Sequence, residues 1–158
     1  MATNTTATPA AAPSVFQGIE DTQTKLPYLS EGVFKARVDA VKKVQSTKDP
    51  LQVFIFAELT IVESSDPNLP VGSRACRGIG TKPHPLYKMK YIMPEIKSLF
   101  GAILNEMPDK VTQQSSEALC SAKNPAQGRM INIVGKAKID KNGVKTSFVN
   151  FTYSSAAT

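Results

Sequence analysis

The stretch "QVFIFAELTIV", residues 52–62, constrains the fold more than any other part of this chain. Counted by twos, it puts Val53, Ile55, Ala57, Leu59 and Ile61 on one face, the period of a β-strand with one side on a core. The other face carries Phe54, Phe56, Glu58 and Thr60. A strand whose first face already fills the apolar quota has no need of two phenylalanines on the second. Two readings stand side by side. The rings are a surface built for a ligand, or they pack under a helix or the N-terminal arm as part of a two-sided core.

The neighbouring segments repeat the strand period. In "GVFKARVDAVKKV", 32–44, Phe34, Ala36, Val38 and Ala40 alternate with Lys35, Arg37, Asp39 and Val41, giving a half-buried strand with a basic outer face. The loop "QSTKDPLQ", with its Asp-Pro turn signal, joins these two strands as a hairpin. After the break "SSDPNLPVGS", 64–73, a third strand is expected at "RACRGIG", 74–80. The period then changes. From Met93, the residues Ile96, Leu99, Phe100, Ile103 and Leu104 fall at helical spacing, with Pro94 suited to a first turn. A weaker helix is expected over about 109–121, with Pro108 near its start, and "NPAQG", 124–128, reads as a turn. Two last strands, "RMINIVGKAKI" at 129–139 and "VKTSFVNFTY" at 144–153, flank "DKNG", whose Asn-Gly is a strong hairpin signal.

Three strands, a helical segment and two strands give a mainly β chain with α+β content. The layout is that of a five-stranded antiparallel OB-fold barrel with a helical insertion between the third and fourth strands. The expected organisation is a flexible Ala/Thr/Pro-rich N-terminal arm at 1–28, in which Phe16 could pin the arm to the body, an OB-fold nucleic-acid-binding domain at 29–154, and a short tail at 155–158. The 158 residues suit one domain. No apolar run is long enough to span a membrane, and "MATNTTATPAAAPS" has neither the basic nor the apolar region of a secretory signal, so no membrane and no secretion are expected. Cys76 and Cys120 read as two reduced thiols.

Charge narrows the partner. Nineteen Lys and Arg against thirteen Asp and Glu leave a formal +6, which suits a polyanion. The excess is local: Arg74, Arg77, Lys82, Lys88, Lys90 and Lys97 crowd 70–98, and Arg129, Lys136, Lys138, Lys141 and Lys145 crowd 129–158. An OB barrel binds across its second and third strands, between the loops joining strands one to two and four to five. Mapped there, the candidate DNA-binding residues are Phe54 and Phe56 for stacking, Lys35 and Arg37 beside them, and Lys42, Lys43 and Lys48 at the first hairpin loop. Lys136, Lys138, Lys141 and Lys145 belong to the last hairpin, and either Arg74 or Arg77 to the third strand, depending on register. "GTKPHPLYKMKY", 80–91, adds Lys82, Tyr87 and Lys88 in a segment that reads either as a nucleic-acid strap or as a loop whose tyrosines lid the barrel. Taken singly, the lysines read more readily as a solvated face than as phosphate contacts. Bases stacking on aromatic rings gain about 1–3 kcal/mol each while cations track the phosphates, so binding should be indifferent to sequence and steeply salt-dependent. Phe151 and Tyr153 share one face of the last strand, with Phe151 expected in the core.

Catalytic chemistry finds little support. "RGIGTK" lacks the spacing of a phosphate-binding loop. Cys76, His84 and Cys120 make an incomplete zinc set and no Cys–His nucleophile, and no carboxylate cluster suggests magnesium. No enzyme, cofactor or metal is expected.

The segments "LPYLSEGVFKARVDAVKK", "FIFAELTIVESSDPNLPVGSRA", "SLFGAILNEMPDKV" and "GRMINIVGKAKIDKNG" together resemble small phage-encoded single-stranded DNA-binding proteins of the OB-fold type, over roughly 27–153. "ELTIVESSDPNLPVGS" carries the likeness best. The resemblance implies coating of single-stranded DNA during phage replication or recombination in the cytoplasm of the infected cell. The chain departs from many such proteins in ending "FTYSSAAT", without an acidic recruiting tail, which leaves replication partners unidentified. RNA is not distinguished from DNA by stacking, and a homo-oligomer is left open. The competing reading is a structural or accessory phage protein that assembles through protein–protein contacts.

Overall fold

A computed structural model of the protein describes residues 26–82 and 89–156. Strands β1 (Gly32–Gln45), β2 (Val53–Ser64) and β3 (Arg74–Gly80) come first. Helix α1 (Met89–Leu104), a 3₁₀ turn (Pro108–Lys110) and helix α2 (Gln113–Leu119) precede β4 (Met130–Ile139) and β5 (Lys145–Ser155). The strands form one five-stranded antiparallel sheet in the order β3-β2-β1-β4-β5. The sheet with helices between its third and fourth strands is as the sequence pattern predicts.

β1 serves two ladders. It pairs along its length with β2, while its first residues, Gly32–Arg37, also pair with Met130–Gly135 of β4. The register slips between Val38 and Ala40, a bulge that bends the strand and changes its phase. For that reason Val41, expected on the outer face, is buried together with Ala40. On β2 the alternation holds: Ile55, Ala57, Leu59 and Ile61 are buried. They meet Phe34, Val38, Ile79, Ile131 and Ile133 in one core, closed at one end by Leu99, Phe100 and Ile103 of α1.

α1 begins ahead of Met93, so Pro94 lies inside the helix rather than in its first turn. A proline there supplies no amide for the carbonyl four residues back, and its exposed side keeps the ring out of the packed face. The helix stops where Asn105 takes a left-handed φ of 57° and the Glu106 amide returns to the Gly101 carbonyl at 2.9 Å. The weaker second helix is split: after the 3₁₀ turn, Thr112 caps α2 by a reciprocal bond pair with Ser115, both at 3.0 Å.

β3 and β5 are the edge strands, and no ladder joins them among the described residues. Hydrogen bonds therefore do not close the sheet into a barrel. Other groups occupy the seam. Residues 27–29 run parallel to β3, with the Cys76 amide on the Pro27 carbonyl and the Leu29 amide on the Cys76 carbonyl, each at 2.9 Å. On the opposite edge, Ser98 of α1 accepts the Tyr153 amide at 3.1 Å, and Ser155 donates to the Ala102 carbonyl at 2.6 Å. Two edges that would otherwise template foreign strands are covered from within over part of their length.

Candidate nucleic-acid interface

The phenylalanines of β2 are neither core nor fully exposed; both are half-buried. In register, Phe56 stands opposite Gly78 and Phe54 opposite Gly80. A Cβ at Gly78 would come within 2.6 Å of the Phe56 ring, and one at Gly80 within 3.3 Å of the Phe54 ring. The glycines of "RGIG" thus let two aromatic rings lie against the β3 backbone. The ring centroids are 5.7 Å apart with planes tilted by 38°. Among the described residues no helix covers them, since α1 packs mainly on β5; the N-terminal arm of the two-sided-core reading lies, up to residue 25, outside the described residues.

Lys35 and Arg37, expected beside the rings, stand further along the sheet, opposite Glu63 and Thr60; it is Lys42 that faces Phe56, and Val44 that faces Phe54. On this sheet face the cations expected to track phosphates hold carboxylates instead. Lys42 reaches Glu58 at 3.0 Å, Lys35 lies 3.8 Å from Glu63, and Arg37 lies 3.2 Å from Asp39. Arg74 lies between Asp39 at 3.7 Å and Glu58 at 3.6 Å. At the loops, Lys82 pairs with Asp49 at 2.6 Å, Lys43 with Glu117 and Lys145 with Glu31, the last two at 2.5 Å. Lysine hydrogen bonds hold the half-buried Asp49 and the exposed Glu31 carboxyls below their usual range, and the bond to Glu117 pushes the Lys43 ammonium up. Such surface pairs are weak, about 0–1 kcal/mol each, so a phosphate can displace the carboxylate, but at a cost in net attraction. Lys48, Lys136, Lys138 and Lys141 make no ion pair among the described residues.

The choice between Arg74 and Arg77 is resolved by register. Arg74 is on the outer face, opposite Thr60; Arg77 is opposite the buried Ala57 and turns into the seam. There its guanidinium grips Glu95 of α1 through two bonds of 2.7 and 2.6 Å and lies 4.8 Å from the Phe151 ring centre. The Tyr153 hydroxyl donates to the same Glu95 carboxylate at 2.7 Å. Burial, and then the Glu95 charge, push the Tyr153 phenol well above its ordinary range. Arg77 is therefore a structural clamp joining β3, α1 and β5, and Arg74 is the arginine of β3 that stands on the outer face.

The same seam opens into a groove of about 490 Å³ between β3 and β5. Its most buried lining residues are Ile79, Phe151 and Leu29. Phe54, Phe148 and Val149 are half-buried, and Lys82 and Ser147 are exposed at its margin. Gln52 and the Lys82–Asp49 pair tie one end to the loop at 46–52, and Ser147 lies just beyond the turn of the last hairpin. Of the expected residues the groove gathers Phe54, Lys82 and the inward-turned Arg77; Phe56 and Lys42 stand beside it on the β1–β2–β3 face. Lys136 and Lys138 lie across β4, and Lys43 is drawn away to α2 by Glu117. Tyr87, Lys88 and His84 are outside the described residues.

Phe148 is the residue that sequence reasoning missed. Its signal was available: on β5 it shares the polar face with Thr146, Asn150 and Thr152, an aromatic out of place for the same reason as Phe54 and Phe56. Among the described residues no group of three or more His, Cys, Asp or Glu could hold a metal, and no helix is long and apolar enough to cross a membrane. Among the described residues, Cys76 and Cys120 form no disulfide. No protein-family model matches the chain, and comparison with curated proteins gives no match.

Proposed function

We propose that this chain is a sequence-nonspecific single-stranded DNA-binding protein of the OB type, its barrel seam filled by side chains where a β3–β5 ladder would close it. The strand order agrees with that arrangement, since an OB barrel is a five-stranded Greek key whose last closure lies between these two strands. One observation carries the functional reading: half-buried aromatic rings on β2 and β5 flank a groove bordered by Lys82 and by two hairpin loops rich in lysine. Aromatic rings in a wet, basic groove are what unpaired bases stack on, and duplex bases present no such faces. The resemblance noted above supplies the setting, coating of exposed strands in phage replication or recombination. No catalytic step belongs to the proposal.

The test is fluorescence anisotropy with a labelled oligo-dT of about thirty nucleotides, long enough for more than one site, against a duplex of equal length. Preference for the single strand, reduced at least about tenfold in a Phe54→Ala, Phe148→Ala double variant that keeps its fold, is the expected result, since each stacked base is worth about 1–3 kcal/mol. Equal affinity for duplex and single strand, or an unchanged affinity in the double variant, overturns it. In that case the aromatic groove is better read as a protein–protein surface.

A further inference from the structure

A second cluster stands just past the groove. Tyr91, in the first turns of α1, is 38% exposed and has two ammonium groups over its ring: Lys90 at 5.1 Å and Lys138 of β4 at 5.0 Å from the ring centre. A ring quadrupole holds two like charges near each other here, at a place where neither lysine has an ion pair among the described residues. The acidic side chain bordering this spot is Glu95, and its carboxylate is taken up by Arg77 and the Tyr153 hydroxyl. This is the reverse of the β1–β2–β3 face, where Lys42, Arg37 and Arg74 are each matched by a carboxylate.

We infer that Lys90, Tyr91 and Lys138 form a second contact for the phosphodiester backbone of the same single strand, reached after it leaves the groove across β5. The inference rests on the groove reading above. Continuity supports the path: Phe151 lines both the groove and the hollow beside Tyr91, and Asn150 and Thr152, on either side of it in sequence, offer polar side chains along the crossing. Two converging ammonium groups suit an anion that spans them, and a phosphodiester brings one charge per nucleotide. The role divides naturally. The groove takes bases, and the cluster takes charge, so the cluster acts only on strands long enough to reach it.

The experiment measures affinity of the full chain for oligo-dT of about eight and about twenty nucleotides, one within and one beyond the range of about 4–16 nucleotides that an OB fold occupies, across a salt series. A Lys90→Ala, Lys138→Ala variant should bind the short strand as the unaltered protein does and lose at least about fivefold on the long one. Its slope of log affinity against log salt on the long strand should become shallower by about 1.4, two contacts at about 0.7 each for single strands. Equal losses on both lengths, or an unchanged slope on the long strand, overturn the inference and leave the groove reading standing. Failure of the unaltered protein to bind either strand removes the groove reading, and this inference with it. A Lys90→Arg, Lys138→Arg variant, which keeps both charges, should retain most of the long-strand affinity, and a loss there equal to that of the alanine pair also overturns it.

Discussion

Gly78 shows how one missing Cβ shapes a surface. Because a Cβ there would meet the Phe56 ring at 2.6 Å, Gly78→Val has to lift the ring off β3. Overpacking of this kind costs about 1–3 kcal/mol, and the loss should appear as a lower urea midpoint with an unchanged slope. The clamp in the seam is sharper. Arg77→Ala strands the buried Glu95 carboxylate and should cost about 3 kcal/mol, the range for removing one partner of a buried pair, read in the same urea assay. Tyr153 makes the clamp sensitive to alkali. Its folded pKa is raised above the unfolded value near 10, so its stabilising share is complete below about pH 10 and is lost as pH climbs from there toward the folded value. The stability gap between the unaltered protein and Tyr153→Phe should therefore narrow between pH 8 and pH 11; a gap that widens would contradict the assignment. At this scale the sequence was partly legible. The oddity of Phe54 and Phe56 on a polar face singled the two rings out without deciding between a surface and a second core face, and the same rule applied to β5 would have found Phe148. Arg77 was not separable from Arg74, because adjacent register choices put either one outside, and no pattern within seven residues of strand decides between them.

Among the elements, the ones most readable were those with a long, regular period. β2 and β3 fall where alternation put them, and so does the last hairpin at Asn142-Gly143, where Gly143 takes a φ of 77°. β1 was readable until its bulge; a one-residue change of phase leaves no mark in composition, so Val41 was placed on the wrong face. Pro94 misplaced the start of α1, because a proline suits a first turn and is also tolerated further in when its side faces solvent. What no local pattern could supply is how the sheet edges are covered, since Ser98 meets Tyr153 and Pro27 meets Cys76 across distances of some fifty residues. The Ser98 contact is a direct test of α1 as an edge cover. Ser98→Ala leaves the Tyr153 amide unsatisfied at a partly buried site and should cost about 1 kcal/mol by chemical denaturation, with faster amide exchange at Tyr153.

For the whole molecule, net charge is a poor guide to where an anion binds. The +6 is genuine, yet on the β1–β2–β3 face Asp39, Glu58 and Glu63 answer Lys35, Arg37, Lys42 and Arg74, and cations without an ion pair among the described residues lie in the loops, on α1 and along β4. Salt dependence should then be set by fewer contacts than the lysine content implies, because a lysine that exchanges a carboxylate for a phosphate gains little. Glu58→Gln, which releases Lys42 beside Phe56 and leaves Arg74 with Asp39 alone, should tighten single-strand binding several-fold at low salt and steepen its salt slope; unchanged or weaker binding would mean that this face takes no part. The account's central claim, however, is about place: bases enter the groove between β3 and β5. The most direct test is a nitrogen-15 amide titration of the labelled protein with a short oligo-dT. The account predicts that resonances of Phe54, Gly80, Phe148 and Phe151 move first and saturate together, while those of α2 stay still. Shifts confined to α2, or none in the groove while the strand is bound, would contradict it.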